Sequence, residues 1–321
     1  MDVEINEIQR QIKLMVPEAV SEACRTLDLL EGIYGQIHWA IYELIENSDN
    51  SGSKSIKFEL NDSKLLVRND GLGFSIDDLK RICSVNTSVG RDSLVDGSFG
   101  LGFKSVFSFS NDVKVFSGKF GIRFFKQKEH RLWKIFPHKI ENRNFQEERG
   151  TVFEFDLGDK RENMLKTLFE VSPKVLLFLK SVETLVIEDS VRGDTTTLEK
   201  IIRKKNDLEI VTLRRTINEE ACESWDYVCC SKEFLIPEWW IGDKGQTKVV
   251  IAVPLNRDGG SVSIYRKIYR VVGDANTGFA LSGDFITTMG FDGLVDNEWN
   301  AWLLDSVLDY ISSELRPGLM I

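Results

Sequence analysis

Gly97-Ser98-Phe99-Gly100-Leu101-Gly102-Phe103-Lys104-Ser105 is the stretch on which the fold of this chain turns. Glycines at 97, 100 and 102 let the backbone come close to a ligand, and the apolar run from Phe103 to Phe109 reads as the first turns of a helix. A loop of that kind presents unpaired N–H groups. With the helix dipole behind it, it favours an anion such as a phosphate chain. It is not a P-loop, because Phe103 follows the last glycine where a lysine would stand. Nor is it G-x-G-x-x-G, because Ser105 takes the final glycine's place. By itself the stretch suits a glycine-rich surface turn equally well, so its neighbours decide.

Upstream, residues 35–50 form a helix with two faces. Ile37, Ile41, Leu44 and Ile45 make an apolar stripe, while Glu43, Asn47 and Asn50 fall at i, i+4 and i+7. A solvated helix face normally carries lysine, and this one carries none. After Ser51-Gly52-Ser53 the alternation Ile56, Phe58, Leu60 predicts a strand, with Leu65 to Val67 as its hairpin partner. That partner runs into Asn69-Asp70-Gly71-Leu72-Gly73, an acid and two glycines at a strand end. Ser75 to Asp78 looks like a capping box. Residues 84–99 lack periodicity and are long enough for a lid.

Downstream of the glycine stretch, strands are expected at 113–116, 121–125, 132–136 and 151–157, in one sheet. Towards the N-terminus, residues 5–30 read as two helical segments broken at Pro17. A second unit is expected from Gly158. It holds a short buried helix at 175–179, strands at 184–187, 210–213, 227–230, 249–255 and 262–272, and a closing helix at 298–315. The fold class is α+β, in two domains, 1–157 and 158–321.

The chain has 321 residues, 42% hydrophobic and 28% charged, which fits ordered globular domains. A formal net charge of −9 makes it a poor non-specific binder of nucleic-acid phosphates. No secretory signal or membrane span is legible, so a cytoplasmic protein is expected. Five cysteines without a C-x-x-C pair and three histidines leave little material for disulfides, zinc or a triad, so any metal should be a hard ion held by oxygen.

Taken in order, Glu43 and Asn47, Asp70 and Gly73, Gly97 with Gly100 and Gly102, and Gly150-Thr151 resemble the ATP-binding domain of the gyrase, Hsp90, histidine kinase and MutL (GHKL) superfamily. The pieces 43–50 and 102–107, with Gly283-Asp284-Phe285 and the later Glu298-Trp299-Asn300-Ala301-Trp302, are similar to the sacsin and NO VEIN type of that superfamily. One departure is that Thr287 to Phe291 lacks the arginine of a Ser-Arg-Glu element found in sacsin-like repeats.

The resemblance implies a Bergerat-type ATP-binding α/β sandwich followed by a transducer-like mixed α/β domain. It implies that Asp70 accepts from the adenine 6-amino group, with Gly73 admitting the base and Thr151 in support. Asn47 holds Mg²⁺, Glu43 acts on the attacking water, and the backbone of Gly97, Phe99, Gly100, Leu101, Gly102 and Phe103 cradles the phosphates with Lys104 adding charge. The activity implied is slow ATP hydrolysis driving a lid and interdomain switch of chaperone-like or remodelling kind, with ATP and Mg²⁺ as cofactors. A protein client or partner and a nucleotide-dependent homodimer go with it. The alternatives are a non-hydrolysing nucleotide-binding module in a DNA-linked or defence complex, and a histidine-type kinase. The intact Glu43 and the lack of a dimerisation segment with a phosphoacceptor histidine weigh against the last two respectively.

Overall fold

The computed structural model describes residues 2–85, 102–118, 120–141, 150–205, 208–240, 245–255, 263–266, 269–272, 279–288 and 293–315. By contacts the chain divides into two units. One comprises Met1–Pro173, Leu179–Glu199 and Arg214–Glu223, and the other Lys174–Phe178, Lys200–Leu213 and Ser224–Ile321. No single cut near residue 158 separates them.

In the first unit, helices α1 (Asp2–Lys13) and α2 (Pro17–Tyr34) are separated because Pro17 cannot continue a helix but suits the first helical position, where its missing N–H is not needed. Helix α3 (Ile37–Asn50) turns Ile41, Leu44 and Ile45 inward to 1% exposure or less. Each such side chain contributes roughly 1.5–3 kcal/mol of burial. Hairpin β1 (Ser55–Leu60) and β2 (Lys64–Asn69) follows the predicted alternation, with Ile56, Phe58, Leu60, Leu65 and Val67 fully buried. Helix α4 (Ile76–Ile82) starts on a capping box between Ser75 and Asp78.

The expected helix after Gly102 is a short 3-10 turn, Gly102–Ser108, packed on α2 and α3. Strands β3 (Asp112–Ser117), β4 (Phe120–Phe125), β5 (His138–Ile140) and β6 (Thr151–Asp156) follow. Helix α5 (Arg161–Phe169) then leads to β7 (Thr184–Asp189). The strand order is β7-β1-β2-β6-β3-β4-β5, antiparallel except for the parallel β1–β7 pair. Phe103 and Phe107 of the 3-10 turn pack edge-on to each other and against Phe124, and Phe103 also meets Phe153. The turn is thereby anchored in the core. The Asp49 carboxylate at the end of α3 accepts backbone N–H groups of Lys180, Ser181 and Val182 at 3.0, 2.7 and 2.9 Å, which ties the helix to the entry of β7.

Residues 132–136 are not the predicted strand but successive turns, with Ile135 N bonded to Leu132 O at 3.0 Å. Leu132, Trp133, Ile135 and Phe136 are all buried, at a helical rather than an alternating spacing.

Strands β8 (Asp194–Lys205), β9 (Leu208–Ile217) and β10 (Glu220–Leu235) each contribute residues to both units. The second unit adds β11 (Gln246–Pro254), β12 (Ser263–Arg266), β13 (Tyr269–Val272), β14 (Ala280–Gly283) and helix α6 (Glu298–Tyr310). The strand expected at 262–272 is instead the antiparallel pair β12–β13, with Tyr265 opposite Arg270. Gly283-Asp284-Phe285 and Trp299-Asn300 work as one clamp. Trp299 donates its indole N–H to Asp284 O at 2.8 Å, and Asn300 bonds both backbone groups of Ile286, at 2.9 Å and 2.7 Å. Phe285 is buried beside Val249, Ile251 and Leu303. Among the described residues no helix is long and apolar enough to cross a membrane.

Candidate functional site

Two polar positions on α3, Glu43 and Asn47, stand one turn apart, both half-buried, with the buried Leu44, Ile45 and Ser48 between and beside them. The Glu43 carboxylate lies directly against the α-carbon of Gly102. A β-carbon at residue 102 would overlap all three atoms of that carboxylate. Any side chain at residue 102 would therefore displace the acid, independently of any ligand. The contact brings Glu43 to the downstream end of the glycine stretch, where the 3-10 turn begins. The expected phosphate-loop residues Gly97, Phe99, Gly100 and Leu101, and nearly all of the expected lid, lie outside the described residues.

The end of β2 forms a second polar cluster. Asp70 is exposed, and its carboxylate accepts the backbone N–H groups of Lys54 (2.8 Å) and Ser55 (3.0 Å) and the Ser55 hydroxyl (3.0 Å). It caps the entry to β1 rather than facing Thr151. The residue that does face Thr151 is Asn69, paired with it across β2 and β6. Asn69 Oδ1 accepts from Thr151 N at 3.3 Å and Gly71 N at 3.4 Å, and its Nδ2 donates to Ser48 Oγ at 3.2 Å. Asn69 shares the face of Leu65 and Val67, and that phase was available in the sequence.

Gly73 sits where a β-carbon would meet Ser117 Oγ at 2.7 Å, so its missing side chain makes room for that hydroxyl. Ser117, which the sequence did not single out, accepts from Phe74 N at 2.8 Å and lies 3.1 Å from Thr151 Oγ1. Gly150 adopts φ +87° and would clash with Asn69 O if it carried a side chain. Its N–H reaches Gly71 O at 2.8 Å, holding the β2 turn to the start of β6.

Lys104 departs from the expectation of a cation beside a phosphate chain. It is buried, its ammonium donates to the carbonyl of Ile82 at the end of α4, and burial pulls its pKa down to about 8. A cation at the C-terminal carbonyls of a helix is favourably placed against the helix dipole. Its neighbour Cys83 is buried as well, which pushes that thiol up to about 12. Phe103 is likewise a core residue, 1% exposed.

The carboxylate against the glycine turn and the oxygen donor one turn along lie on α3, which the bond from Asn69 Nδ2 to Ser48 Oγ joins to the Asn–Thr–Ser cluster at the strand ends. Residues 35–146 match the family described as histidine kinase-, DNA gyrase B- and HSP90-like ATPases. The chain is 24% identical over 327 aligned residues to Protein NO VEIN of Arabidopsis thaliana, an alignment covering 91% of this chain and 11% of that protein. The chain thus spans about a tenth of that relative's length. Among solved structures it is similar to the B-subunit of the DNA gyrase from Myxococcus xanthus, at 11% identity and a TM-score of 0.47, covering 84% of this chain and 87% of that one.

Proposed function

We propose that this chain binds Mg²⁺-ATP between α3 and the ends of β2 and β6, and hydrolyses it slowly. The observation behind this reading is the seating of the Glu43 carboxylate on Gly102, at the end of the glycine run. Glu43 positions a water and takes its proton as it attacks the terminal phosphate. Asn47, about 6 Å further along the helix, offers an uncharged oxygen to a divalent ion that keeps most of its waters. The fit to such an ion rests on this hard donor beside the carboxylate. Backbone N–H groups of residues 97–103 receive the phosphates. Asn69, with Thr151 and Ser117 behind it, stands at the base in the place expected of Asp70. Nucleotide binding and hydrolysis drive a lid and interdomain switch of a chaperone-like or remodelling kind.

The test is single-turnover hydrolysis and equilibrium ATP binding on wild type and Glu43→Ala from matched preparations. Retained binding with a ~10²- to 10⁴-fold slower chemical step is expected. Turnover equal to wild type would remove Glu43 from the reaction, and joint loss of binding and turnover would make it a structural residue.

A further inference from the structure

The polar atoms of Asn69 are fixed by their neighbours. Ser48 donates its own hydroxyl hydrogen to Leu44 O at 2.8 Å, so towards Asn69 it can only accept. The amide nitrogen must therefore point at Ser48, where the distance is 3.2 Å. At the other end of the amide, the N–H groups of Thr151 and Gly71 both donate to Oδ1, at 3.3 and 3.4 Å. An amide oxygen has two lone-pair directions, and both are engaged. The group left for a ligand is the second N–H of Nδ2. Asn69 thus presents a donor where an aspartate would present an acceptor.

We infer, resting on the nucleotide site proposed above, that Asn69 reads the C6 edge of the purine by donating an N–H. The pocket then does not select the 6-amino group, and a 6-oxopurine nucleotide binds at least as tightly as an adenine nucleotide. A 6-amino group placed against this N–H sets two donors face to face, whereas a C6 carbonyl accepts from it. Discrimination by a single hydrogen bond of this kind becomes large when one partner is left unpaired in a partly buried site. Asn69 is half-buried, and its amide orientation is held from three sides.

Calorimetric titration of the full chain with ADP and with IDP tests this, since the two differ only around C6 and N1 and neither is turned over. Wild type should bind IDP as tightly as ADP or more tightly. Asn69→Asp, which keeps the shape and the two backbone donors but presents carboxylate oxygens, should move the ratio about tenfold or more towards ADP. Asn69→Ser, whose short hydroxyl either donates or accepts, should bring the two affinities together. A wild-type preference for ADP of tenfold or more, unmoved by Asn69→Asp, would overturn the inference while leaving the nucleotide site standing. Failure of wild type to bind either diphosphate or ATP would remove the site itself and this reading with it.

Discussion

Replacing Gly102 with alanine should separate catalysis from stability. The new methyl group falls on the Glu43 carboxylate. That carboxylate is the far end of a flexible side chain, so it can swing away at the cost of a poorer rotamer, roughly 0.5–1.5 kcal/mol. Losing a hydrogen bond costs a similar ~0.5–1.5 kcal/mol. The backbone at Gly102 is not in the left-handed region, so alanine meets no backbone strain there, and losing a glycine in a helical turn returns up to about 1 kcal/mol. The net change in folding free energy should stay near 1 kcal/mol. Displacing a positioned general base, in contrast, removes ~10²- to 10⁴-fold of rate, about 3–5 kcal/mol of transition-state stabilisation. Single-turnover hydrolysis should therefore collapse while the thermal transition moves by only a few degrees. In the double variant with Glu43→Ala, the second change should add no further loss of rate, because both act through one carboxylate. Turnover of Gly102→Ala within threefold of wild type would refute the reasoning. A large drop in stability would show instead that Glu43 is clamped and that the turn is overpacked.

Asp70→Ala should lower stability by about 1 kcal/mol in denaturant titrations, as the loss of a cap does, and leave nucleotide affinity unchanged; a tenfold loss of affinity would restore Asp70 as the base reader. Lys104→Met should change how stability depends on pH. The pKa of Lys104 is depressed from 10.5 to about 8 in the folded protein, so between these values the unfolded chain holds a proton that the folded one has released, and stability rises with pH. Below pH 8 the penalty is present in full, at most about 3 kcal/mol for 2.5 units. Wild type should therefore gain on the methionine variant between pH 8 and 10.5, and parallel curves in chemical unfolding would disprove the titration.

The two faces of α3 were legible because helical periodicity is a property of spacing alone. Ile41, Leu44 and Ile45 could face the core only if Glu43 and Asn47 were turned aside. At the end of β2 residue type and strand phase point to different residues. An acid beside two glycines draws attention to Asp70, yet strand alternation from Leu65 and Val67 lands on Asn69, and the sheet obeys the alternation. Misses elsewhere have a similar root. In β8 the buried phase is Thr196, Leu198 and Lys200, whose polar members hide the period, and between β12 and β13 the sequence carries no glycine or proline to mark a break. Lys104 lies outside what spacing can reveal, because only the packing of the 3-10 turn against α3 closes water off from a lysine in an apolar run. Asn69 and Asp70 carry this furthest. They are adjacent and alike in size, and they point to opposite faces, so one caps a strand and the other meets Thr151. Exchanging acid and amide between them, as Asn69→Asp with Asp70→Asn, keeps composition and charge constant. Any change in base preference would then come from which face of β2 carries the acceptor.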